Sequence, residues 1–263
     1  MIYFRLVDFS AKNETEVNTG NGRSGAGRKF RQIRGVRILH EDPDVIVVEK
    51  SAGILSCATR RGGEHTVEDA LNDYVRKGQA RSKKQVYLVH RLDRETSGVM
   101  MVAKTPEVQE YFRSNWNELT EKTYLARVRG ILDEKEGLFE SHLAEDPKTL
   151  LVRSVKNPKY GKLARTLYKV LSEGKGTTLV EVRLKSGRKN QIRVHFSENG
   201  HPIVGDSRYG HDRGELMLHS WKLAFLHPHT GKKMFFETER PPFAMESSAA
   251  DGEKPKGESK DEK

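Results

Sequence analysis

Two short apolar runs, residues 36–39 and 45–49, flank Glu41-Asp42-Pro43-Asp44, whose residue types favour a turn; together they predict a β-hairpin. At 66–78 the period changes to 3.6. Val67, Ala70, Leu71, Tyr74 and Val75 fall on one stripe, Thr66 stands ready to cap it with Asp69 three residues on, and Gly78 stops it. Thr105 and Pro106 open a second helix as N-cap and first helical residue, with Val108, Tyr111, Phe112 and Trp116 towards the core. From Lys122 the period becomes 2, so that Tyr124, Ala126 and Val128 share one face and Leu125, Arg127 and Arg129 the other. Further strands are expected at 164–171, 178–184, 216–226 and 233–238, and a short helix over 191–199 ends at Gly200. Many strands with few helices between them predict an α+β fold: a mixed, mainly antiparallel β-sheet with flanking helices and loops.

Composition adds limits. Residues 10–29 are rich in Asn, Gly, Ser, Thr and charge, without periodicity, so 1–34 reads as a flexible basic arm ahead of one domain over 35–245. Arg23, Arg28, Lys29, Arg31, Arg34 and Arg37 run without an intervening acid, which suits phosphate contacts or a solvated basic linker equally. Residues 246–263 read as a disordered tail. With 47 Lys+Arg against 37 Asp+Glu the formal charge is +10, which favours a polyanionic partner. Cys57 is the sole cysteine, so no internal disulfide or cysteine zinc cluster can form. No membrane span or secretory segment is expected, and the chain reads as a soluble, cytoplasmic protein. No P-loop occurs, and no nucleotide cofactor is implied. Ten histidines show no HExxH spacing; His227-Pro228-His229 reads as a hairpin turn and the acids at 41–44 as turn residues, so no metal is expected.

Two stretches carry candidate chemistry. In 90–104, Asp93 sits between Arg91 and Arg94; Thr96, Ser97 and Gly98 are expected to turn, and 99–103 to form a buried strand. A single Asp–Arg neighbourhood is most often a surface ion pair, but a loop anchored by a buried strand also fits a deliberately placed carboxylate. In 186–196, Ile192, His195, Phe196 and Asn199 share a stripe, which makes His195 a packed histidine and leaves Arg193 free to point elsewhere. Arg183, Lys185, Arg188, Lys189 and Arg193 form a basic cluster able to track a phosphate backbone.

Together these residues match a known pattern. His90-Arg91-Leu92-Asp93 with Thr96-Ser97-Gly98 and Ala103-Lys104 resembles the catalytic signature of RluA-type RNA pseudouridine synthases, the RluA, RluC and RluD group. The likeness continues in order through Glu41-Asp42 and Val47 to Lys50 with Gly53, Lys122-Thr123-Tyr124, Gly187-Arg188, Gln191 to His195, Gly200 to Ile203, Gly205-Asp206, Tyr209-Gly210 and Leu218-His219, covering roughly residues 35–243. Two departures stand out: Ser51 where the family usually has proline, and Asn190 where histidine is common. The small N-terminal RNA-binding module of some members is not matched. The resemblance implies a catalytic domain over 35–245 that isomerises uridine in rRNA or tRNA to pseudouridine, a reaction that needs no cofactor; a monomer is the default expectation. By the match Asp93 is the nucleophile, towards sugar or base, and Arg193 pairs with it and keeps its pKa low. Tyr124 stacks on the uracil and assists proton removal at C5, and Arg91 braces the gap left by a flipped nucleotide. The RNA-contacting set implied with them is His90, Lys122, Arg188, Lys189, Asn190 and Gln191. The alternatives are an inactive RNA-binding protein of the same fold, disfavoured by the intact Asp93, Tyr124 and Arg193, and a nuclease using His90 or His195, which lacks a second catalytic group at useful spacing.

Overall fold

The computed structural model describes residues 16–19, 32–59, 62–79 and 81–245. Arg23, Arg28, Lys29 and Arg31 of the expected arm, and the expected tail, lie outside them. Two strands fall within the stretch read as an arm, β1 (Glu16–Thr19) and β2 (Gln32–Ile33). β3 (Val36–Glu41) and β4 (Val45–Lys50) form the expected hairpin, closed by Asp42, whose Oδ1 accepts from the backbone N–H groups of Asp44 and Val45 at 2.8 Å each. α1 (Val67–Arg76) carries the full capping box between Thr66 and Asp69 and ends on Lys77 in the left-handed region. After β5 (Tyr87–Leu88) and β6 (Ser97–Ala103), α2 (Pro106–Leu119) starts at Thr105 as expected and is kinked at Asn115. The rest of the chain is β7 (Thr120–Arg129), β8 (Glu136–Glu145), β9 (Val152–Val155), β10 (Lys162–Gly174), β11 (Thr177–Leu184), α3 (Gln191–Glu198), β12 (Leu218–Leu226) and β13 (Lys233–Glu237).

The strands make one mixed sheet, ordered β2-β3-β4-β6-β12-β7-β11-β10-β8-β9, with β5 on β6, β13 on β12 and β1 on β13. Among the described strands only the β6–β12 and β1–β13 pairings are parallel. Both faces of its centre are covered. Ile46, Val48, Met100 and Val102 pack on the side that holds α1 and, farther along, Ile192 and Phe196 of α3. Val45, Val47, Val99, Met101 and Ala103 pack on the side of Val108 and Phe112 from α2. That double covering explains why β4 and β6 read as continuous apolar runs instead of alternating.

A strand buried on both faces has no polar side to fix its register. Here Gly98 supplies the constraint. It was expected in a turn but lies inside β6 at φ +110°, opposite Ser220 of β12, and a Cβ there would sit 2.1 Å from the Ser220 carbonyl oxygen. Only glycine permits this approach, which pins the parallel pair that brings β12 beside the loop before β6. Among the described residues no helix is long and apolar enough to cross a membrane.

Candidate active site

The loop entering β6 is strapped from below. The Leu92 side chain is buried; its N–H donates to Ser56 Oγ (3.0 Å), and the same hydroxyl donates to the Leu92 carbonyl (2.8 Å). The Arg94 carbonyl accepts from Gly53 N (2.8 Å) and from Lys50 Nζ (3.0 Å). Lys50 is fully buried and gives its other protons to the carbonyls of Ser51 (2.9 Å) and Ile54 (2.8 Å). Burial pushes its pKa down to about 8 against the pull of Glu95 and Asp93. The turn itself is Asp93 to Thr96, closed by Thr96 N–H to the Asp93 carbonyl at 3.2 Å. The sequence places Lys50 within the motif that runs from Val47 to Gly53 without giving it a role; here it holds the loop's backbone.

On this loop Asp93 is 24% exposed and lines a cleft together with Arg91, Tyr124, Arg188, Lys189 and Arg193. The three residues expected to act together thus meet in one basic recess, where Arg193 pairs with Asp93 but is held more tightly by a further carboxylate. Arg193, buried on α3, reaches Asp93 Oδ2 only at 3.5 Å and Glu95 at 3.6 Å. Its two short bonds, 2.8 Å each, form a bidentate pair with the wholly buried Asp206. Asp206 also accepts from Arg208 N and Tyr209 N at 3.0 Å each. Burial works against the Arg193 charge, and Asp206, then Asp93 and Glu95, outweigh it, raising the pKa. Asp206 lies in the Gly205-Asp206 motif, to which no role was attached, and Gly205 sits at φ +79° where a Cβ would meet the Glu215 carbonyl at 1.9 Å.

Asp93 has a closer partner. Asn190, at the N-terminus of α3 and at φ 53°, has its amide assigned with Nδ2 towards Asp93, 2.8 Å from Oδ2 and 3.2 Å from Oδ1, and Oδ1 accepting from Tyr209 OH at 3.0 Å. In that orientation neither neighbour meets a like group. Tyr124 on β7 is held as a neutral phenol: burial pushes its pKa up to about 12, the Ser220 hydrogen bond pulls it back and the Asp93 charge adds to the rise. At neutral pH it is therefore a phenol, able to stack, to donate and to accept a hydrogen bond.

The remaining expected RNA contacts divide. Arg91 and Arg188 are exposed at the cleft, the latter donating to the Leu163 carbonyl (3.1 Å), and Lys189 pairs with Glu145 across the wall. Gln191 lines the cleft, but its amide is engaged inside: its Oε1 accepts from Ser186 Oγ and Arg188 N, its Nε2 donates to the Arg165 carbonyl and Thr166 Oγ1, and the side chain is buried. His90 is turned inwards. Nε2 accepts from Met101 N at 3.0 Å, the ring stacks on Trp116 at 4.5 Å, and burial followed by the Lys122 charge takes its pKa down to about 3. Lys122 is buried beside the same tryptophan with Nζ on Asn117 Oδ1 (3.0 Å). These three brace the sheet, because their polar atoms already have partners inside it. Arg94 pairs with Glu64 at 2.5 Å, not with Asp93. His195 is packed as its stripe predicted, bonded to Thr166 Oγ1 (2.8 Å) and Ser141 Oγ (3.0 Å).

A second cluster lies at the opposite end of β4. His227 Nε2 is 3.3 Å from Asp42 Oδ2 and 3.5 Å from Asp44 Oδ2, close enough for the three to be a ligand set, with His229 on Asp44 (2.7 Å) and His40 on Asp42 (2.8 Å). The other His227 nitrogen, Nδ1, accepts from His229 N and Thr230 N, both 3.3 Å. The ring proton therefore sits on Nε2 and points at the carboxylates, leaving no lone pair there for a metal. This geometry fits a clasp between the β3–β4 and β12–β13 turns.

The family model for RNA pseudouridylate synthase matches residues 44–198. The uncharacterized RNA pseudouridine synthase YjbO of Bacillus subtilis is 35% identical over 78% of this chain and 72% of its own length. Ribosomal large subunit pseudouridine synthase D of Nitrosomonas europaea is 33% identical over 78% of this chain and 62% of its own, and the dual-specificity RNA pseudouridine synthase RluA of Yersinia pestis 35% over 77% and 98%. Among solved structures, human RNA pseudouridylate synthase domain containing 4 superposes with a TM-score of 0.63 at 25% identity, over 78% of this chain and 89% of that one. With the sheet, the cleft and these matches in agreement, the chain belongs to the RNA pseudouridylate synthase family, a family of isomerases.

Proposed function

We propose that the protein isomerises uridines in ribosomal or transfer RNA to pseudouridine, as a cytoplasmic monomer without cofactor, with Asp93 as nucleophile. The observation that carries this reading is a partly exposed carboxylate 3.5 Å from a buried guanidinium, sharing one basic cleft with a buried phenol. In the reaction the C1′–N1 bond breaks, the uracil turns, C5 bonds to C1′, C5 loses its proton and N1 gains one. Atoms and electrons balance within the nucleotide, so no redox partner or group donor is needed. Asp93 supplies the anion that attacks and later leaves. At 3.5 Å Arg193 favours that anion without clamping it, since its short bonds stay on Asp206. The Tyr124 ring stacks on the base, and its neutral hydroxyl leaves a carboxylate or water to accept the C5 proton. Reaching C1′ requires the nucleotide to leave its stack, at a cost of a few kcal/mol in rough terms. Arg91 braces the vacated position, and Arg188 and Lys189 hold phosphates.

The test uses cellular RNA from a strain lacking the protein, incubated with wild type or Asp93→Asn and mapped for pseudouridine. Wild type should add pseudouridine at discrete positions and Asp93→Asn none. No new pseudouridine from wild type overturns the activity; full activity in Asp93→Asn overturns the nucleophile alone.

A further inference from the structure

The shortest contact to Asp93 comes not from an arginine but from an amide whose direction is fixed step by step. Val152 N–H donates to Tyr209 OH at 3.0 Å, occupying a phenol lone pair. The Asp93 carboxylate can only accept, so the Asn190 amide turns its N–H groups towards it, 2.8 and 3.2 Å off, and its Oδ1 takes the phenol proton of Tyr209, 3.0 Å away. The Tyr209 ring meanwhile lies 5.4 Å from the Arg193 guanidinium, and its backbone N–H bonds Asp206. One tyrosine therefore braces both neighbours of Asp93.

We propose that Asn190 is a positioning residue for Asp93, oriented by Tyr209, and that it fixes the carboxylate rotamer with a donor that does not titrate. The inference rests on Asp93 being the nucleophile. Asn190 is suited to the place on two counts. Its φ of 53° is the left-handed region that asparagine and histidine tolerate better than most residues. Its amide stays neutral, whereas the histidine common at this position in the family would gain a charge near pH ~6.5 and draw electron density from the nucleophile. The groups facing Asp93 are otherwise Arg193 from α3, Lys50 from β4, Tyr124 from β7 and Glu95 of its own loop.

Asn190→Gly removes the donor without straining the backbone, and Asn190→His keeps a donor that titrates. Steady-state assays on a modified RNA should give Asn190→Gly a kcat about 10- to 100-fold lower with KM within roughly threefold, the signature of a misplaced reacting group. Asn190→His should recover rate at pH 8 and lose it below about 6.5, an inflection absent from wild type. Tyr209→Phe should lower kcat similarly, with no further loss when combined with Asn190→Gly. A wild-type kcat in Asn190→Gly, an Asn190→His variant no better than Asn190→Gly at any pH, or additive losses in the double variant each overturn the proposal. Activity in Asp93→Asn overturns the nucleophile reading instead; an inactive Asp93→Asn beside an unaffected Asn190→Gly overturns this inference alone.

Discussion

Replacing Asp206 with asparagine probes both the stability of the cleft and its electrostatics. The exchange keeps the volume of a side chain with no solvent exposure and removes its charge. In the native protein Arg193 faces three carboxylates, Asp206 through two 2.8 Å bonds and Asp93 and Glu95 at 3.5 and 3.6 Å. Breaking a buried ion pair by removing one partner costs about 3–5 kcal/mol, because the other charge stays buried. Two carboxylates remain near Arg193, which places the cost at the lower end, about 3 kcal/mol. An asparagine amide also has only one acceptor where the guanidinium and the Arg208 and Tyr209 N–H groups need two oxygens. Urea denaturation should therefore show a midpoint lower by about 1 M or more. Arg193, released from Asp206, should close on Asp93 and lower kcat even under conditions where the variant is fully folded. A midpoint within about 0.2 M of wild type, or an unchanged kcat in the folded variant, would refute the claim that Asp206 holds Arg193 back from Asp93.

Three further outcomes follow from the same geometry. Gly98→Ala should fail to accumulate as folded protein or lose more than about 3 kcal/mol in denaturation, since its Cβ would lie 2.1 Å from the Ser220 carbonyl at a φ of +110°; near-native stability would refute the register argument. His90 and His219 are pressed down to about 3 and about 4 by burial, while the unfolded chain titrates near ~6.5. The unfolded state thus binds more protons between those values, and stability should fall as pH drops from ~6.5 towards 4, by about 1–2 kcal/mol per ring at pH 5; equal urea midpoints at pH 7.5 and 5 would contradict this, and His219→Gln should shrink the drop. Because Tyr124 ionises only at about 12, wild type and Tyr124→Phe should share one alkaline limb up to pH ~10; a limb that vanishes in the phenylalanine variant would mean that a phenolate takes part.

Local signals were legible where a residue's conformation depends on its near neighbours. Thr66 with Asp69, Thr105 with Pro106, and the stop after α1 are encoded within one helical turn, and the structure reproduces them. The alternation in β7 likewise separates Tyr124 from Arg127 on opposite faces. β8 and β9 went unread because one mixes apolar and polar residues without clear alternation and the other is only four residues long. Gly98 was placed in a turn because the reason for a glycine there, the carbonyl of Ser220, lies more than a hundred residues away.

The site divides along the same line. By itself the sequence determined which family the chain resembles, because Asp93, Tyr124 and Arg193 lie in ordered motifs that match it, and so which residues to propose for the chemistry. Only the tertiary structure decided how charge and protons are shared among them. Arg193 belongs first to Asp206, Asn190 reaches Asp93, Lys50 ties the loop's carbonyls, and Gln191, His90 and Lys122 turn inwards. Hydrogen bonds and ion pairs act over about 3 Å in space between residues tens to a hundred positions apart, and no local pattern of side chains ranks such partners before the sheet has brought them together.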